Sequence, residues 1–140
     1  MGAVEREIAS REGYLPERRV STVYFGGGTP SYLERGELRR IVDALERHYD
    51  ILPGAERTIE LNPEDLTRER LAGIREMGFN RLSVGVQSFS DDHLKQINRT
   101  HTGAQAMEGV RLAADMGFDN ISVDLIIGLP GQTEKELLDD

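Results

Sequence analysis

Cysteine and tryptophan are both missing from the 140 residues. Without cysteine there are no disulfides, no thiolate-bound metals and no cysteine nucleophiles, and the redox compartment stays open. Also missing is any run of 18 apolar residues long enough to cross a bilayer. The opening stretch, Met1 to Ser10, is charged and lacks the apolar core of a secretory leader. A cytoplasmic setting is the default expectation. Basic residues are scarce, 17 against 25 acidic ones for a net charge of −8. A field of that sign repels phosphate backbones and anionic lipid surfaces, which argues against nucleic acid as a partner. No Ser-His-Asp order, paired histidine ligands or Walker lysine occurs.

What is present reads as alternating strands and helices in one domain spanning 1–140. Residues 4–12 are helix-prone but carry no N-cap, so the chain is expected to enter inside a helix. Strands are expected near 20–25, 58–62, 82–87 and 121–127, each followed by helix. Leu38, Ile41, Val42, Leu45 and Tyr49 recur at helical spacing behind a possible Ser31–Glu34 capping box. Leu66 and Leu71 flank an N-cap at Thr67, and Gly78 and Gly117 mark helix ends. A short helix is expected near Asp91–Ile97, a longer one opened by Thr102 and Gln105, and a last one by Thr133 and Glu136. Met77-Gly78-Phe79 returns 39 residues later as Met116-Gly117-Phe118, each preceding a strand. An echo of one β/α unit suits a stack of parallel units, here about four, belonging to a larger and partly closed α/β barrel.

In such a barrel alternate strand residues face the lumen and function gathers at the C-terminal strand ends. That rule puts Thr58, Glu60 and Asn62, then Ser83, Gly85 and Gln87, then Ser122, Asp124 and Ile126 on the lumen side. Glu60, Gln87 and Asp124 thus converge from three strands. Either they pair with each other, with water, or with Arg81 or Arg99 in an internal network, or they wait for a ligand rich in hydroxyl and ammonium donors. Gly26-Gly27-Gly28-Thr29-Pro30 lies at a strand end, where a tight turn and a ligand-gripping loop are both possible readings. Gly128-Leu129-Pro130-Gly131 reads as an ordinary turn. His48 and His93 are expected to be solvated, and His101 to be a loop residue ahead of a helix cap. A phosphate-binding barrel enzyme is a competing reading, with the glycine loop as anion cradle and Glu60 and Asp124 against it.

Five segments, taken together, resemble the radical S-adenosylmethionine (SAM) coproporphyrinogen III oxidase-like family in order and spacing. They are Tyr24 to Ser31, Glu60-Leu61-Asn62-Pro63, Gly78 to Phe89, Asn98-Arg99, and Val123 to Thr133. The resemblance implies a radical SAM barrel in which Gly27, Gly28, Thr29 and Glu60 hold the methionine amino group of SAM. It implies that Arg99 holds the carboxylate, and that Gln87 and Asp124 take the ribose hydroxyls. The family's [4Fe–4S] cluster is bound by a Cys-x-x-x-Cys-x-x-Cys loop that this sequence lacks. The resemblance therefore implies a single incomplete core domain, truncated at both ends, whose cluster belongs to a full-length parent only. Radical chemistry is not expected of this chain by itself. The parent would act on haem or porphyrin, either as the oxidase or as a haem chaperone. The run Gln87 to Ser90 and Asn98 to His101 looks more like the chaperone branch, and whether the protein is an enzyme stays open.

Overall fold

A computed structural model describes residues 2–140. Helix α1 (Gly2–Ser10) is followed by β1 (Arg19–Phe25), α2 (Arg35–His48), β2 (Asp50–Leu61), α3 (Arg68–Glu76) and β3 (Arg81–Gln87). The chain continues with α4 (Asp91–Gln96), α5 (Gly103–Asp115), β4 (Asn120–Leu125) and α6 (Glu134–Asp139). The four strands pair in parallel in the order β1-β2-β3-β4. This is the expected arrangement of β/α units.

One face of the sheet is apolar and covered. Ile59 and Leu61 of β2 and Leu82, Val84 and Val86 of β3 are buried against Leu38 and Val42 of α2, Leu71 and Ile74 of α3, and Ala106 and Ala113 of α5. The two Met-Gly-Phe echoes are matching helix stops. Gly78 and Gly117 adopt φ of 87° and 85°, and the N–H groups of Phe79 and Phe118 reach back to the Ile74 and Ala113 carbonyls at 3.3 and 3.1 Å. These are Schellman turns, and the phenylalanine after each glycine drops into the core. A side-chain nitrogen from the preceding unit caps each turn: Arg57 donates to the Met77 carbonyl at 3.3 Å and Arg75 to that of Met116 at 3.0 Å.

Five expectations are corrected. Strand β2 begins at Asp50 rather than at 58, because Ile51 pairs with Val20 and Glu56 with Thr22, leaving Pro53 and Gly54 in a bulge. β4 stops at Leu125, short of 127. The box ahead of α2 is Glu34 with Glu37, whose carboxylate accepts from the Glu34 N–H at 3.1 Å. Ser31 sits instead in a 3-10 turn led by Pro30, and its hydroxyl donates to Asp65. His93 is buried rather than solvated, 4% exposed, with its Nε2 3.8 Å from Glu136 Oε2 of α6. His48 is half-buried against Glu12 at 3.0 Å.

Backbone packing is tightest where α5 begins. A Cβ on Gly103 would collide with the Phe89 carbonyl, whereas one on Gly36, in α2, would meet nothing within 4 Å. Urea unfolding should show Gly103→Ala destabilised by about 1–3 kcal/mol. Gly36→Ala should gain roughly 0.5–1 kcal/mol from helix propensity. Equal behaviour of the two would contradict the packing described.

Candidate functional site

The uncovered face of the sheet is polar, and it divides into two levels. At the N-terminal end of the strands Arg81 reaches Glu56 at 4.0 Å, Thr58 Oγ1 at 3.4 Å and Ser122 Oγ at 3.2 Å. Asn120 Nδ2 adds a bond to Glu56 at 3.3 Å. This network fills the base of the face and uses up Arg81, the cation that could have paired with Glu60 or Asp124.

At the C-terminal level lies a cleft of about 220 Å3 lined by Gly28, Thr29, Glu60, Asn62, Gln87, Arg99 and Asp124, among others. All the candidate residues except Gly27 line it, and Gly27 is tied in through Glu60. Glu60 Oε1 accepts from the Tyr24 hydroxyl at 2.7 Å and Oε2 from the Gly27 N–H at 3.0 Å. The glycine loop makes this possible. Gly27 and Gly28 take φ of 78° and 72°, and a Cβ on Gly26 would stand 2.5 Å from Glu60 Oε1. The carboxylate is thereby fixed in place and half-buried, with lone pairs left for a donor from the cleft.

Asp124 is exposed and accepts from Ser83 Oγ at 3.1 Å. Among the described residues neither Glu60 nor Asp124 makes an ion pair, so the internal-pairing reading through Arg81 or Arg99 does not hold. Arg99 instead donates to Asn62 Oδ1 at 3.2 Å. It is aimed by a third Schellman turn, in which Asn98 takes φ of 56° and the Arg99 N–H bonds the Leu94 carbonyl at 2.9 Å. Gln87 ends β3 at φ 72°, a left-handed conformation unusual for a side chain of its size. Gly85 gives its amide room, since a Cβ there would lie 2.8 Å from Gln87 Nε2.

His101 is a loop residue before the Thr102 cap, as read, but it is buried, and its Nε2 lies 3.0 Å from the Val86 carbonyl. Thr100 and Glu64 share a bond of 2.8 Å that fastens the same loop to the turn after β2. Gly26 and Ser83 sit where the sequence places them, in the glycine loop and on the lumen side of β3, although neither is expected to hold the ligand. Tyr24 is not among the expected site residues and is legible only through strand alternation. A hollow of about 330 Å3 also opens between α1 and β1, walled by Ile8, Leu15, Val20 and Val23 among others, but no such set of convergent polar groups lines it. The polar cleft combines a fixed carboxylate, an arginine, an amide and a second carboxylate. That donor and acceptor set suits a ligand with an ammonium, a carboxylate and paired hydroxyls.

The Tyr24 hydroxyl is held above its ordinary pKa, chiefly by its bond to Glu60 and secondarily by burial. Glu60→Gln should therefore lower the pH at which Tyr24 ionises. Ultraviolet titration of the variant against wild type, with Tyr24→Phe to identify the signal, reads this directly. An unmoved titration would show that the bond does not persist in solution.

A family model described as the Radical SAM superfamily matches residues 4–140. The chain is 39% identical to the haem chaperone HemW of Bacillus subtilis over 140 residues, covering 98% of this chain and 36% of that protein. It is 36% identical to the oxygen-independent coproporphyrinogen III oxidase of Salmonella typhimurium over 135 residues, covering 96% of this chain and 30% of the oxidase. The solved structure of coproporphyrinogen III oxidase (HemN) from Escherichia coli, a radical SAM enzyme, superposes with a TM-score of 0.89 at 34% identity. That match covers 99% of this chain and 32% of the other. The chain thus spans about a third of the length of each of these relatives.

Proposed function

This chain belongs to the radical SAM superfamily, and on that premise we propose that the polar cleft is its SAM site. The observation that carries the reading is the pinned Glu60 carboxylate in a cleft that Arg99 also lines. A free amino acid end carries one charge of each sign, and these two groups complement it. Glu60, with the Gly27–Thr29 loop, receives the ammonium, and Arg99 the carboxylate in a fork that lysine cannot reproduce. Gln87 and Asp124 accept from the ribose hydroxyls, the carboxylate more strongly than an amide would. Asn62 keeps Arg99 in position.

SAM serves radical chemistry in this superfamily when a [4Fe–4S] cluster reduces it. The cluster does not fit the residues present, since the sequence has no cysteine. No step through it is derived for this chain. We read the chain as an incomplete radical SAM core, and the protein type it represents as a haem chaperone acting on haem or porphyrin. Identities to the chaperones run from 35% to 41% and those to the oxidases from 35% to 36%, and the upper end of the first range supports that choice over the oxidase itself. A phosphate-binding barrel is disfavoured by the same two carboxylates, which would repel an anion in the cleft.

Amide NMR of the isotope-labelled chain separates these readings. Added SAM should shift the Gly27, Gly28, Arg99 and Asp124 signals, and inorganic phosphate should leave them in place. The reverse would overturn the SAM reading. Arg99→Lys should weaken SAM binding by about 1–3 kcal/mol. Asp124→Asn should also weaken it while changing stability to urea by less than about 0.5 kcal/mol, because Asp124 is exposed and unpaired.

A further inference from the structure

Gln87 holds a conformation that its own sequence does not favour. A left-handed glutamine costs on the order of 1–3 kcal/mol and persists only where its surroundings over-determine it. Three contacts surround the segment Gln87 to Ser90. Just past the end of β4, the Ile126 N–H donates to the Gln87 carbonyl at 2.9 Å. From α5, Gly103 closes against the Phe89 carbonyl. From the C-terminal end of α6 comes Asp140, which accepts from the Phe89 N–H through Oδ1 and from the Ser88 hydroxyl through Oδ2, both at 2.7 Å.

Both bonds are charge-assisted, and Ser88 is fully buried, so water cannot take the place of the bond from its hydroxyl. The Ser88 oxygen also accepts from the Ser90 N–H at 3.0 Å, extending the hold across the loop. A single carboxylate, 53 residues from Gln87 in the sequence, thus fixes the two residues that follow it. With β3 holding the chain before Gln87 and Asp140 holding Ser88 and Phe89 after it, the Gln87 torsions that join the two are confined, and its side chain with them.

We propose that Asp140 is a positioning residue for the cleft, acting through Ser88 and Phe89 to hold the Gln87 side chain over Gly85. The link to ligand binding rests on the SAM reading above, whereas the effect on Gln87 does not. Among the described residues Asp140 makes no hydrogen bond or ion pair to a side chain lining the cleft, and it would exert its influence through the loop.

The test uses the full chain and two readouts. In the absence of ligand, Asp140→Ala should shift or broaden the side-chain amide signals of Gln87, and Asp140→Asn, which retains one acceptor oxygen, should move them less. Unchanged Gln87 signals in Asp140→Ala would overturn the proposal whether or not SAM binds. With SAM, Asp140→Ala should weaken affinity roughly three- to tenfold, the range seen for couplings carried outside a site. The same change in a Gln87→Ala background should have less than about a twofold effect, because the group being positioned is gone. An equal loss in both backgrounds would make Asp140 merely structural and overturn the proposal. If wild type fails to bind SAM, the SAM reading falls, and the ligand-free amide signals still decide the role of Asp140. Should Asp140→Ala not fold, Asp140→Asn supplies both readouts with the same expected direction.

Discussion

Helices cover one face of this sheet only, and that one-sided cover decides what each strand can present on the other. Ile59, Leu61, Leu82, Val84 and Val86 have to face α2, α3 and α5, because burying such side chains is worth about 1.5–3 kcal/mol each. The pleat then assigns their neighbours to the bare face without further choice. Thr58, Glu60, Ser83, Asp124 and the glycine at 85 are therefore where they are as a consequence of the core. A polar set is tolerable there because the face is open, and its members bond to one another or remain available to water.

How much of this was legible in the sequence depends on how far apart the partners are. The strands and their lumen sets follow from a period of two, and the boxes at Thr102 and Thr133 from a spacing of three, so both were readable. Ser31 and Glu34 share that spacing, yet Pro30 starts a 3-10 turn and the Ser31 hydroxyl finds Asp65, on a different turn of the chain. Pro53 and Gly54 look like a strand break, but pairing with β1 carries β2 past them as a bulge. His93 lies in an acidic stretch that reads as surface, yet it is buried, and the group its Nε2 approaches, Glu136 of α6, is more than a full unit further along. Tyr24 escaped notice because its partner, Glu60, belongs to another strand.

The site combines rigid and strained pieces. Glu60 is set by a strand, a tyrosine and a backbone N–H, while Gln87 occupies a backbone conformation that must be imposed on it. Gly85 is the complement to that imposition, a missing side chain that leaves the glutamine amide somewhere to lie. Similarity to HemW and HemN covers 98% and 99% of this chain, so it takes in the polar face and its strained end.

The three Schellman turns differ in the residue that follows the left-handed one. After Gly78 and Gly117 comes a phenylalanine that nails the helix end into the core, but after Asn98 comes Arg99. The stop of α4 therefore lacks the apolar fastening of the other two, and its firmness depends on what the guanidinium meets. A helix end without that fastening has less packing to lose on local unfolding than one that has it. An anion held by Arg99 would close it, making occupancy of the cleft and order of α4 two readings of one equilibrium.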